Sequence, residues 1–230
     1  MPNPTLSTPA IERLCGLVRV MERLAEHGHR RTSSRELGME IGAAPHNVRK
    51  DISGLGVAGE TRGGYDIESL RGRIGEKLGL NRQHRVGIVG LGRLGSALMH
   101  HHGLEQAGYG VVAGFDSDVN KLETIRTHVP LFPAYEIPEI VRRESIEIGV
   151  IAVPASGARE VCSRLVRGGI KGIINFAPIV VHADRRETVV RNVDITAEFM
   201  AASARITLDA DFEESALRHP QPERSPQSEH

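Results

Sequence analysis

One stretch of the chain has the residue types and spacing to hold a dinucleotide. Gly90-Leu91-Gly92-Arg93-Leu94-Gly95 is a G-x-G-x-x-G run between an apolar segment, Arg85-Val86-Gly87-Ile88-Val89, and the helix-forming Ser96-Ala97-Leu98-Met99. Strand, glycine turn and helix are the context that gives such a run its meaning. Gly90 permits the tight turn, Gly92 lets a pyrophosphate approach the backbone, and Gly95 lets helix and strand pack closely. The start of the helix supplies N–H donors and positive potential for the phosphates. Asp116 closes the next apolar run, Val111 to Phe115, 21 residues after Gly95. It can accept hydrogen bonds from an adenosine ribose diol. Ser117 and Asp118 follow with no arginine beside them, so a 2′-phosphate is expected to be repelled and NAD(H) preferred over NADP(H).

A dehydrogenase would need a substrate region and an acid/base as well. Only a short segment follows the final apolar strand, and no catalytic residue is expected. The run His100-His101-His102 is tempting as a metal or proton site. Consecutive helical residues point about 100° apart, so three adjacent histidines cannot chelate together. The two cysteines, Cys15 and Cys162, are far apart in sequence and form no CxxC pair, so neither a disulfide framework nor a metal site is expected. Both read as small buried side chains.

These groups need a scaffold, and the composition allows one. The chain has 230 residues, 40% hydrophobic and 25% charged, with a formal net charge of zero. That is globular composition with room for two cores. No apolar run is long enough to span a bilayer, and the start does not read as a signal peptide; a cytoplasmic protein is expected. The neutral total hides an asymmetry. Residues 1–85 carry 14 Lys and Arg against 10 Asp and Glu, which hints at an anionic partner for the first part alone.

That first part reads as three helices. Ile11, Leu14, Leu17, Val18, Met21 and Leu24 recur at helical spacing, with Thr8 as cap, Pro9 in the first turn and Gly28 at the end. Ser33 and Glu36 form a capping box for a second helix. Pro45 opens a third, in which Val48, Ile52 and Leu55 face inward while His46, Asn47 and Lys50 face outward with Arg49 at the flank. A glycine-rich hairpin from Gly54 to Gly64 completes a winged helix-turn-helix outline. The third helix would enter the major groove of double-stranded DNA, and Arg62 at the hairpin tip would reach a minor groove or the backbone. After a helix-like connector at 67–84, strands are expected at 85–89, 111–115, 148–153, 173–176 and 189–193, with helices near 136–145 and 156–168. Strand and helix in alternation imply a doubly wound parallel sheet.

Taken together, the motifs resemble the Rex family of redox-sensing transcriptional repressors. The matching residues are Arg31-Thr32-Ser33-Ser34, Val48-Arg49-Lys50-Asp51, Gly90 to Gly95, Phe115-Asp116, Val153-Pro154, Gly169 to Pro178 and Asn192-Val193-Asp194. The resemblance implies a homodimer that binds operator DNA when NADH is scarce and leaves it when NADH binds. It adds Val153, Pro154 and Asn175 to the cofactor residues. It makes Arg49 and Lys50 DNA contacts, and pairs Arg19 with Asp194 across the dimer in the DNA-binding state. It also implies a C-terminal helix swapped between subunits. The chain departs from the family pattern in three places. Ser53-Gly54-Leu55-Gly56 lacks two aromatics, Arg62 stands one position late in the wing, and His101 replaces a tyrosine near the nicotinamide.

The expected architecture is therefore an α/β protein. A winged helix-turn-helix domain at 1–80 precedes a Rossmann domain with its C-terminal helix at 81–207 and a disordered tail at 208–230. Two other readings stay open: a small NAD-dependent oxidoreductase, and a CoA- or nucleotide-binding module without DNA binding.

Overall fold

The computed structural model describes residues 6–56 and 63–218, with side chains as far as Leu208. The chain divides into two compact units, Met1–Gln83 and His84–His230.

In the first unit, α1 (Thr8–Glu26), β1 (Arg31–Thr32), α2 (Ser34–Glu40), α3 (Pro45–Gly54), β2 (Tyr65–Asp66) and α4 (Ile67–Leu78) follow one another. The apolar stripe of α1 buries Leu14, Leu17 and Met21 completely, each worth about 1.5–3 kcal/mol relative to exposure. They pack with Leu37, Val48, Ile52, Ile67 and Ile74. The expected Thr8 cap is corrected: Thr8 is the first helical residue and Ser7 holds the cap position without a side-chain bond. The capping box of α2 forms as expected, Glu36 N–H donating to Ser33 Oγ at 3.2 Å and Ser33 N–H to Glu36 Oε2 at 2.9 Å. β1 and β2 pair antiparallel, Thr32 opposite Tyr65. The wing is thus clamped at its base by a two-residue strand that precedes α2, too short for a periodic pattern to announce it.

The second unit is one parallel sheet in the order β5-β4-β3-β6-β7-β8. Its elements are β3 (His84–Val89), α5 (Arg93–Met99), α6 (His102–Gln106), β4 (Tyr109–Asp116), α7 (Val119–Thr124), β5 (Leu131–Pro133), α8 (Ile137–Arg143), β6 (Ile148–Ile151), α9 (Ala155–Gly168), β7 (Gly172–Asn175), β8 (Val189–Asn192) and α10 (Ile195–Arg218). The strand order reverses between β3 and β6, which opens a crevice at their carboxyl ends. Phe115, Ile137, Ile140, Ile151 and Leu165 fill the core on one side of the sheet. Cys162 is buried there and Cys15 is half-buried in the first unit; burial pushes both thiols up, as befits packing rather than reactivity.

Three differences from the sequence reading stand out. The short β5, bounded by Pro130 and Pro133, has too few residues to show a period, and α6 and α7 are only five and six residues long. β6 ends at Ile151 and β8 at Asn192, each short of its expected end. α10 continues to Arg218, past residue 207 where the helix was expected to stop.

Candidate functional site: a dinucleotide cleft and a winged-helix face

A cleft of about 680 Å³ lies at the strand-order reversal, lined by Gly90, Gly92, Asp116, Val153, Pro154 and Gly157 among others. Gly90 sits at φ +95°, and a Cβ there would lie 2.5 Å from the Ala152 carbonyl oxygen. The turn between β3 and α5 therefore closes only on glycine. At Gly95 a Cβ would fall 1.9 Å from Gly90 O, so this position lets α5 sit against the turn. At Gly92 nothing lies within 4 Å of where a Cβ would be. The backbone there faces open space, and the first N–H groups of a helix have no partner within it.

Asp116 ends β4, parallel to β3, and is 5% exposed. Its Oδ2 accepts from Leu91 N–H at 2.8 Å and from Lys121 Nζ at 3.2 Å; its Oδ1 accepts from Asp118 N–H at 2.9 Å. Burial pushes this carboxyl up. The donors of Asp118 and Leu91 and the Lys121 ammonium outweigh that and hold it below the ordinary carboxylate range. The acid is a fixed anion that organises the glycine loop from beneath.

The other expected cofactor residues divide. Val153 and Pro154 line the cleft as β6 gives way to α9. Leu91 is buried beneath the loop, while Arg93 and Leu94 are exposed in the first turn of α5. Asn175 is placed differently, being fully buried. Its Nδ2 donates to Ile179 O at 2.7 Å and to Asn192 Oδ1 at 2.8 Å, and its Oδ1 accepts from Ala177 N–H at 3.1 Å. It does not line the cleft; it ties the loop after β7 to β8. Lys121, Glu160 and Arg164 do line it and were missed by the sequence reading. Lys121, five residues after Asp116, is a cation the local sequence does show.

The three switch residues are each exposed. Arg19 lies on α1. His101 precedes α6 and accepts Gly103 N–H on Nδ1 at 3.0 Å, beside a separate cavity of about 330 Å³ that His128 and Tyr109 also line. Asp194 precedes α10 and accepts Ala197 N–H on Oδ1 at 3.1 Å. Among the described residues no group of three or more His, Cys, Asp or Glu could hold a metal ion, and no helix is long and apolar enough to cross a membrane.

In the first unit α3 turns Val48 and Ile52 inward and leaves His46, Arg49 and Lys50 exposed, with Asn47 half-buried. Arg49 Nη1 donates to Ser34 Oγ at 2.8 Å, which couples α3 to the start of α2. Arg31 donates to Gly63 O at 2.6 Å and Gly64 O at 2.7 Å, holding the wing where it re-enters the fold. Arg62 lies outside the described residues.

A winged-helix module and a dinucleotide-type α/β module in a single chain define a class of ligand-responsive DNA-binding proteins. Residues 5–53 match the family described as putative DNA-binding protein N-terminus, and residues 81–179 the CoA binding domain family. The redox-sensing transcriptional repressor Rex of Carboxydothermus hydrogenoformans is 36% identical over 199 residues, 86% of this chain and 95% of that protein. Rex of Streptomyces coelicolor is 37% identical, covering 82% of this chain and 72% of its own. A crystal structure of RSP, a Rex-family repressor, superposes with a TM-score of 0.81 at 28% identity over 91% of this chain and 97% of that one. RSP in complex with NAD+ and operator DNA also gives 0.81, at 27% identity, over 94% of this chain and 98% of that one. The chain belongs to the Rex family of redox-sensing transcriptional repressors.

Proposed function

We propose that this chain is a cytoplasmic, homodimeric repressor that binds operator DNA through α3 and the wing and releases it when NADH fills the α/β cleft. The observation that carries this reading is the pairing of a glycine loop, braced by a buried anionic Asp116, with a winged helix that exposes Arg49 and Lys50. Family membership supports it, as do the solved relatives with NAD+ and operator DNA and with NADH.

The residues fit a dinucleotide. The open backbone face at Gly92 accepts a pyrophosphate, Asp116 meets the adenosine ribose, and Val153 and Pro154 wall the cleft. NADH and NAD+ differ only in the nicotinamide, neutral in one and charged in the other, so discrimination arises near that ring. Asp194 is assigned there with, across the dimer, Arg19; His101, expected beside them, instead lines a separate cavity with Tyr109 at the start of β4, the opposite end of that strand from Asp116. Asp194 keeps Oδ2 for such a pair, since the helix cap uses Oδ1. A ligand shifts the protein between two arrangements only by binding them unequally, and an acid with a choice of partners supplies that inequality.

The dimer rests on α10. Ile195, Phe199, Met200, Ile206 and Leu208 are each more than half exposed. Ile195, Phe199 and Ile206 share one face of the helix while Met200 and Leu208 lie on other sides; exposed apolar surface of that extent calls for a cover, and a second copy of the chain is the proposed one.

Selection of random duplex DNA on the purified protein, with and without NADH, tests the reading. A palindrome enriched without NADH and lost with it is expected. Turnover of a 2-hydroxy acid would favour an oxidoreductase instead, and retention of no DNA would favour a nucleotide-binding module.

A further inference from the structure

The adenosine end of the cleft carries a cation for which the glycine fingerprint does not account. A carboxylate has about four acceptor positions, and Asp116 commits three of them, one to Lys121. Lys121 lies on α7 and its side chain is 44% exposed, so it can leave the carboxylate without disturbing the core. The charged groups lining this cleft are Asp116, Asp118, Lys121, Glu160 and Arg164. Glu160 and Arg164 pair with each other along α9, and Asp118 Oδ1 accepts Asn120 N–H at 3.0 Å. Lys121 is thus the counter-charge that neutralises the ribose-binding acid.

A ribose diol needs two acceptor positions, and Asp116 offers one beyond those already committed. The incoming hydroxyls therefore compete with the Lys121 ammonium for Oδ2. A displaced ammonium stays tethered beside the ribose, where the 2′ substituent stands. There it is indifferent to a hydroxyl and attractive to a phosphate.

We propose that Lys121 is a specificity-determining residue of the cleft: it offsets the repulsion between Asp116 and a 2′-phosphate, so that the preference for NADH over NADPH is shallower than Asp116 alone would set. This rests on the cleft being an NAD(H) site.

The test is calorimetric titration of the full-length protein with NADH and with NADPH, for wild type, Lys121→Met, Lys121→Glu and Lys121→Arg. The readout is the ratio of the NADPH to the NADH dissociation constant. Lys121→Met should raise that ratio about three- to fivefold, the upper end of the scale of one partly exposed charge interaction. Lys121→Glu should raise it further, and Lys121→Arg should keep it within about twofold of wild type. Added salt should narrow the difference between wild type and Lys121→Met, because the attraction is screened. A ratio unchanged in Lys121→Met while NADH still binds overturns this inference alone. A wild-type protein that binds neither nucleotide overturns the NAD(H) reading and this inference with it.

Discussion

Arg13 of α1 and Asp51 of α3 are joined by a two-point bridge, Nε to Oδ2 at 2.7 Å and Nη2 to Oδ1 at 3.0 Å. The Asp51 side chain is 6% exposed and that of Arg13 30%. The helix that carries the exposed Lys50 is therefore fixed by its next residue to the first helix of the unit. Removing one partner leaves a buried charge unmatched, which costs about 3–5 kcal/mol in a dry site. With Arg13 partly open to solvent, Arg13→Ala should cost less than that but still destabilise the unit, because it leaves the buried Asp51 carboxylate without its partner. Denaturant unfolding of the N-terminal unit should show it, while NADH titration of the same variant should match wild type.

Lys50→Ala should weaken DNA binding at every sequence and lower the salt dependence by about one unit of slope, as expected for one phosphate contact. Arg49→Ala should do more, because it also breaks the bond to Ser34 that couples α3 to α2. Binding isotherms across a salt series distinguish the two. A Lys50→Ala series that overlays wild type would mean that the residue only faces solvent.

Asp116→Asn should weaken NADH binding by about 1–3 kcal/mol, the cost of an impaired buried polar contact. It should also alter acid stability. The Asp116 carboxyl is held below its ordinary value in the folded protein, so its contribution is complete above the unfolded value of about 3.9 and is lost as pH falls through the lower folded value. Below about pH 4, wild type should lose stability more steeply than Asp116→Asn. Unfolding midpoints between neutral pH and pH 3 check the slope.

Asn175→Ala should destabilise the α/β unit by about 2–3 kcal/mol, because it strands carbonyl and amide groups that the buried side chain now satisfies. Thermal unfolding reads this directly. Asn175→Asp should fare no better, since a carboxylate cannot donate to Ile179 O.

The switch predicts its own variants. Asp194→Ala should blunt the release of DNA by NADH, a coupling that commonly amounts to about 1–3 kcal/mol. Unaltered release in Asp194→Ala would make the acid a helix cap and nothing more.

What was legible in the sequence follows a physical rule. The G-x-G-x-x-G turn, the Ser33–Glu36 capping box and the α1 stripe are local patterns, and each stands in the structure where its spacing puts it. The bridge from Arg13 to Asp51 joins residues 38 apart, and no periodicity connects them. Strand β5 has three residues, fewer than the roughly four an alternating pattern needs to show. Asn175 was read through family resemblance as a ligand contact, whereas its burial and bonding belong to the loop that follows it. Lys121 was not legible as part of the cleft because spacing alone does not show that a flexible ammonium folds back on the acid five residues before it.

The measurement closest to the central claim is fluorescence anisotropy of labelled operator DNA, taken from the selection experiment and saturated with the protein, during titration with NADH. The account predicts a fall to the value of free DNA with NADH, and much less change with NAD+ at the same concentration. Anisotropy that stays at the bound value while calorimetry shows NADH occupying the cleft would contradict it.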